Sequence, residues 1–179
     1  MSIRDEIKAR ANETPPRLHF LAPLVQSAAI IRELFVSTEV IAVAHPPWPA
    51  TLPGRRHAQM RAYLDAFTEG RRLAVANDPY RKPRTANIAR VDPPGDEVFA
   101  FRCIDPKPGI RVFGCFAAFD LFVALTWRVR EDLPTDAALN REWRDEVERC
   151  KAAWRRLFNP YRPHAGATLD DYLSNCHAA

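Results

Sequence analysis

Three arginines, Arg102, Arg111 and Arg128, each interrupt a run of apolar, β-branched and aromatic residues. A guanidinium in such a position has two uses. A buried arginine needs a partner, so each could close an interior ion pair with Asp105, Asp120, Glu131 or an acidic residue of the long C-terminal helix. Alternatively, the three line one open face or rim of a sheet and contact phosphate. There they would act as catalytic groups, stabilising charge at a scissile phosphodiester without a metal. Strand register decides between the two, and Arg90 just before the runs and Arg130 just after them would extend a phosphate-binding row.

The charge distribution keeps the second use open. Net charge is +4, and 22 of the 26 basic residues are arginine. Between Gly54 and Arg90, nine basic residues face three acidic ones, so this segment is +6 and the remainder −2. A stretch of that kind neutralises phosphates, faces an acidic partner or forms a solvated surface. Arg81, Lys82 and Arg84, in a turn-rich connector, are its nucleic-acid-binding candidates together with Arg90 and Arg130.

Other chemistry is scarce. The sequence lacks G-x-S-x-G, a P-loop, G-x-G-x-x-G, H-E-x-x-H and a calcium loop. His19, His45, His57, His164 and His177 fall in five separate contexts, so no metal site or cofactor is expected. The four cysteines never form C-x-x-C, and Cys103 and Cys115 lie in apolar runs where a thiol acts as a small hydrophobe. Asp96-Glu97 and Asp170-Asp171 are adjacent in sequence and do not converge for acid/base work. Trp143 and Trp154 fit a buried helical stripe.

The elements that must position these residues read as a single α+β domain of N-terminal helices, a central antiparallel β-meander and a long C-terminal helix packed on the sheet. Residues 1–16 form an arm, with Ser2 capping a helix through about Ala11 and Thr14-Pro15-Pro16 stopping it. Residues 17–90 form a helical basic region. Leu24, Val25, Ala28, Ile31, Leu34 and Phe35 recur at helical spacing from Pro23 to Phe35. Val36–Ala44 is ambiguous between helix and strand, Gly54 to Gly70 is a helix, and Arg71–Ala76 is a short strand. Residues 91–130 form the sheet, with runs at Glu97–Ile104, Ile110–Ala117 and Leu121–Arg128 whose short connections force antiparallel pairing. These strands are apolar on both pleat faces, so helices should cover both. Residues 131–179 hold a helix from about Leu139 to Phe158 and a tail in which Thr168 caps a short turn.

The order of helices followed by Val98-Phe99-Ala100-Phe101-Arg102, Gly109-Ile110-Arg111-Val112-Phe113 and Leu121-Phe122-Val123-Ala124-Leu125-Thr126 resembles the RelE/HigB/ParE superfamily of bacterial toxins. The match covers roughly residues 88 to 130. Arg128 and Arg130 occupy the place where the family often carries a basic pair after its third strand. The resemblance implies an RNA-binding protein, in the ribonuclease branch a metal-independent endoribonuclease, neutralised by a small antitoxin partner. Arg102 and Arg111 would be its phosphate-contacting groups.

Two other readings stand beside this one. One is a non-enzymatic phage or mobile-element protein whose basic segment binds an acidic partner. The other is a small-molecule enzyme with a pocket between the N-terminal helices and the sheet. No apolar run approaches membrane-spanning length and the N-terminus lacks signal-peptide order, so a cytoplasmic location without membrane association is expected.

Overall fold

A computed structural model describes residues 2–133 and 141–179. The chain opens with α1 (Ile3–Ala11), where the Ser2 hydroxyl accepts from the Asp5 amide and the Asp5 carboxylate accepts from the Ser2 amide. This reciprocal box satisfies two N–H groups that a helix start leaves without partners. There follow β1 (Leu18–Phe20), β2 (Glu33–Ser37), α2 (Thr38–Ala44) and α3 (Leu52–Thr68). The chain continues through β3 (Leu73–Ala76), β4 (Ile88–Arg90), β5 (Phe99–Cys103), β6 (Ile110–Ala118) and β7 (Leu121–Val129). It closes with α4 (Arg141–Phe158) and β8 (Cys176–Ala178).

All strands join one eight-stranded sheet in the order β1-β2-β7-β6-β5-β4-β3-β8. The meander β5-β6-β7 forms as expected, and β4 extends it antiparallel to β5. The sheet is nonetheless mixed, because β2 runs parallel to β7 and β3 runs parallel to both β4 and β8. Both faces are covered. One cluster packs Val40, Met60, Leu64 and Phe67 of α2 and α3 against Phe99, Phe101, Val112 and Phe122. The other packs Ile7 of α1 and Val147, Cys150, Trp154 and Phe158 of α4 against Ala100, Phe113, Cys115 and Val123. The result is a sheet between two helical layers.

The region expected to be helical differs most. Pro23 to Phe35 forms a loop and then β2, and Leu24, Val25, Ile30 and Ile31 are exposed. Arg32, which a helix here would have carried on its polar side, is fully buried. Its guanidinium donates to the carbonyls of Phe67 and Arg71 at 3.1 Å and of Ser174 at 2.5 Å, and lies over the Phe67 ring. Its Nε faces Asp120 at 3.5 Å as an ion pair without hydrogen-bond geometry. Burial lowers the arginine's pKa against the pull of Asp120. These bonds tie the β2 entry, the end of α3 and the β8 approach together, which a helix through Arg32 could not do. Val36–Ala44 divides into the end of β2 and α2. The expected start of the long helix at Leu139 lies outside the described residues, within which α4 begins at Arg141. No helix among the described residues is long and apolar enough to cross a membrane.

Two irregularities of β6 and β7 set the site. The pairing shifts between Phe116 and Ala118 and again between Phe113 and Gly114. The extra residue is Ala117 on β6 at the first and Leu125 on β7 at the second, so the two shifts cancel. Gly114 permits the second. A Cβ there would stand 2.1 Å from the Val123 carbonyl oxygen and against the Phe122 ring.

Candidate functional site

Arg102 lies directly opposite Arg111, and Arg111 directly opposite Arg128. Residues opposite one another across antiparallel strands share a face, so the three form one row across β5, β6 and β7. The row looks toward α4, because Ala100 and Phe113, two residues along on the same pleat, belong to the α4 cluster. Like charges in register cost stability. Something outside the sheet must justify them.

Arg128 leaves the row by ion pairing. Its Nε donates to Glu146 of α4 at 2.9 Å, and Glu146, 2 % exposed, also receives Arg149 at 2.8 Å. Arg149 reaches on to Glu39 at 2.7 Å. This is one of the helix carboxylates foreseen as a partner. Asp120, also foreseen, is held by Arg32 and accepts from the Ser174 amide at 2.8 Å.

Arg102 and Arg111 keep no carboxylate within salt-bridge distance among the described residues. Arg111 is 9 % exposed, and the bond shown for its guanidinium is to the carbonyl of its neighbour Ile110 at 3.1 Å. Arg102 donates to the Pro83 carbonyl. That bond brings in the connector 77–87, which is set by an Asp78 side chain accepting from the Tyr80 amide at 2.8 Å and by Asn87 bridging β3 and β5. The connector delivers Lys82 to the same face. At the end of β7, Arg130 is placed by its amide donating to Gly109 at 2.7 Å and its guanidinium to Leu133. Lys82 and Arg130 stand 6.0 and 5.6 Å from the centroid of Trp143, whose ring meets Phe113 edge-on at 5.6 Å. Cation–π contacts of this kind hold a cation in place without neutralising it.

Lys82, Arg102, Arg111 and Arg130 therefore make a half-buried cationic cluster, and each titrates lower than usual. Burial lowers Lys82, helped by Arg102 and Arg111. Burial and Arg130 lower Arg102. Burial, Arg102 and Arg130 push Arg111 down to about 10, and burial lowers Arg130. The guanidinium groups stay charged near neutrality, because arginine does not lose its proton in that range. Desolvated cations gathered on one face are the chemistry of an anion site, since an arriving anion relieves their mutual repulsion and accepts their hydrogen bonds.

Comparisons with family models, characterised proteins and solved structures return no match. The geometry alone thus sorts the sequence candidates. It gathers Arg102, Arg111, Arg130 and Lys82. Arg81 and Arg84 are exposed on the connector that carries Lys82. Arg90 is placed on the opposite face: opposite Phe99 in register, it pairs with Glu97 at 2.5 Å, bonds the Tyr172 hydroxyl and lies over both rings. Trp143 does belong to the α4 stripe, but its position against the cations was missed. No spacing rule joins residue 143 to residues 82 and 130. No group of three or more His, Cys, Asp or Glu side chains among the described residues could hold a metal ion.

Proposed function

We propose that this chain binds RNA by its phosphodiester backbone at Lys82, Arg102, Arg111 and Arg130, with Arg81 and Arg84 adding longer-range attraction. The observation that carries this reading is the buried Arg111 guanidinium, flanked in register by Arg102 and joined by Lys82 and Arg130, with no described carboxylate to neutralise it. The resemblance of residues 88 to 130 to RelE, HigB and ParE toxins supports the same reading, as does the order of α2 and α3 before the β5-β6-β7 meander. On it, Arg102 and Arg111 also stabilise charge at a scissile phosphate. An antitoxin-like protein would then act by covering the cluster with acidic side chains. Arg128, neutralised by Glu146, serves to join sheet and helix.

Fluorescence anisotropy with a labelled single-stranded RNA, titrated across salt concentrations, tests the proposal. Arg102→Ala should weaken binding and reduce the slope of log affinity against log salt by about 0.7, the value for one phosphate contact on a single strand. Unchanged affinity and slope in Arg102→Ala would refute the site, as would tighter binding of polyglutamate than of RNA. Gel analysis of the same RNA separates binding from cleavage.

A further inference from the structure

The parallel neighbours β2 and β7 part company at their carboxyl ends. From β2 the chain turns into α2, whose Val40 and Ala44 belong to the core on one face of the sheet. From β7 it leads to α4, whose Val147, Cys150 and Trp154 belong to the core on the other. Adjacent parallel strands whose connections leave to opposite faces open a crevice beyond their carboxyl ends, the place where open α/β sheets bind ligands. Here β2 stops pairing at Val36 with Ala124, while β7 runs on to Val129. The crevice is occupied by a cavity of 460 Å³, within the usual range of small-molecule sites.

Its walls are specific. Leu125, Ala153 and Leu157 supply an apolar side. Leu125 is the extra residue of the β7 bulge, and its carbonyl is pinned by the Ser37 hydroxyl at 2.7 Å. Bulges of this kind re-aim the side chains that follow them. The next residue, Thr126, also lines the cavity, is 2 % exposed, and its Oγ1 has no hydrogen-bond partner among the described residues. Buried hydroxyls are rarely left so. Three guanidinium groups stand around the opening, and their pairing differs. Arg17 is engaged by Glu13, and Arg149 by Glu39 and Glu146. Arg156 lines the cavity, is exposed, and forms no ion pair among the described residues.

We infer that the β2–β7 crevice is a binding site for a small organic anion, with a carboxylate or phosphate head held by Arg156 and Thr126 and an apolar body resting on Leu125, Ala153 and Leu157. The anionic head matches an available cation and an unmet hydroxyl; the apolar body matches the floor. Nothing in the assignment depends on RNA binding at the Lys82–Arg130 cluster.

Titration of ¹⁵N-labelled protein with benzoate and with phenylphosphonate, and with inorganic phosphate as the headgroup alone, tests it. At least one aromatic anion should shift the amides of Ser37, Thr126 and Arg156 together and bind more tightly than phosphate. Arg156→Ala should weaken that binding about tenfold and Thr126→Val about fivefold, the ordinary worth of a charge-assisted and a neutral hydrogen bond. Thr126→Val also reports on the fold: it removes a hydroxyl without a partner, so the free protein should be no less stable. Unchanged probe affinity in both variants would overturn the assignment, as would the absence of shifts at the crevice up to about 10 mM probe, an affinity weaker than any specific site of this size warrants.

Discussion

Replacing Arg111 by methionine separates a binding cation from a structural one, because the two roles predict opposite signs. The guanidinium titrates at about 10 in the folded chain against an ordinary 12.5. Each unit is worth 1.36 kcal/mol, so the folded environment disfavours the charge by about 3 kcal/mol. The group is a base with a lowered pKa. The cost is therefore fully present at every pH below about 10, and is relieved only as pH rises from there toward 12.5. At pH 7 Arg111→Met removes all of it, keeps much of the side-chain volume, and loses one bond to the Ile110 carbonyl worth about 1 kcal/mol. A net gain of about 2 kcal/mol remains. For a chain of this size that raises Tm by about 4–8 °C. The same variant should lose the cluster's affinity for anions. Inorganic phosphate added during thermal unfolding should stabilise the parent protein and leave Arg111→Met nearly unmoved, since only ligand that binds the folded state contributes. A variant that melts lower than the parent would show that Arg111 is needed for folding. One that keeps the full phosphate-induced rise would show that the anion binds elsewhere. Either result refutes the reasoning.

Glu146→Ala should destabilise by about 1.5 kcal/mol in urea unfolding, because Arg128 and Arg149 lose their shared buried acceptor while both reach solvent and Arg149 keeps Glu39. Arg128→Ala should cost under about 1 kcal/mol, since that guanidinium is 48 % exposed. His57, packed edge-on against Trp127 at 5.3 Å, has its pKa lowered by burial and by Arg56. Between that lowered value and 6.5 the unfolded chain binds the proton more readily, so stability should fall as pH drops through this window. His57→Phe should flatten the decline in pH-dependent thermal melts.

The meander and α3 were legible because local chemistry and tertiary outcome agree: β-branched and aromatic runs stand between proline-rich turns, and Met60, Leu64 and Phe67 mark one face. Residues 23–35 misled for the converse reason. Leu24, Val25 and Ile31 imitate a helical stripe, yet Val25 and Ile31 are 60 % and 55 % exposed while Arg32 between the apolar positions is buried. Carbonyls from residues 67, 71 and 174 created that burial, and a local pattern cannot anticipate them. The strands β1, β4 and β8, three residues each, carry too short a pattern to be seen, and β8 is defined only by its parallel pairing with β3, from Leu73 with Cys176 to Val75 with Ala178. The arginine types were legible, but their common face was not. One bulge between β6 and β7 would have put Trp127 opposite Arg111; the second restores Arg128.

The Arg32 junction has a consequence for the order of events during synthesis. Its acceptors come from residues 67, 71 and 174, and β3 gains its outer neighbour only from residues 176–178. A nascent chain emerging from the ribosome can form its helices and hairpins early, yet it carries this guanidinium hydrated, and the half-built sheet carries an open edge at β3. Water leaves the junction only once residues 174–178 have been made. The stretch with the least apparent chemistry thereby sets the moment at which this junction and the β3 edge close, and until then that unpaired edge is the part of the sheet most open to wrong pairing.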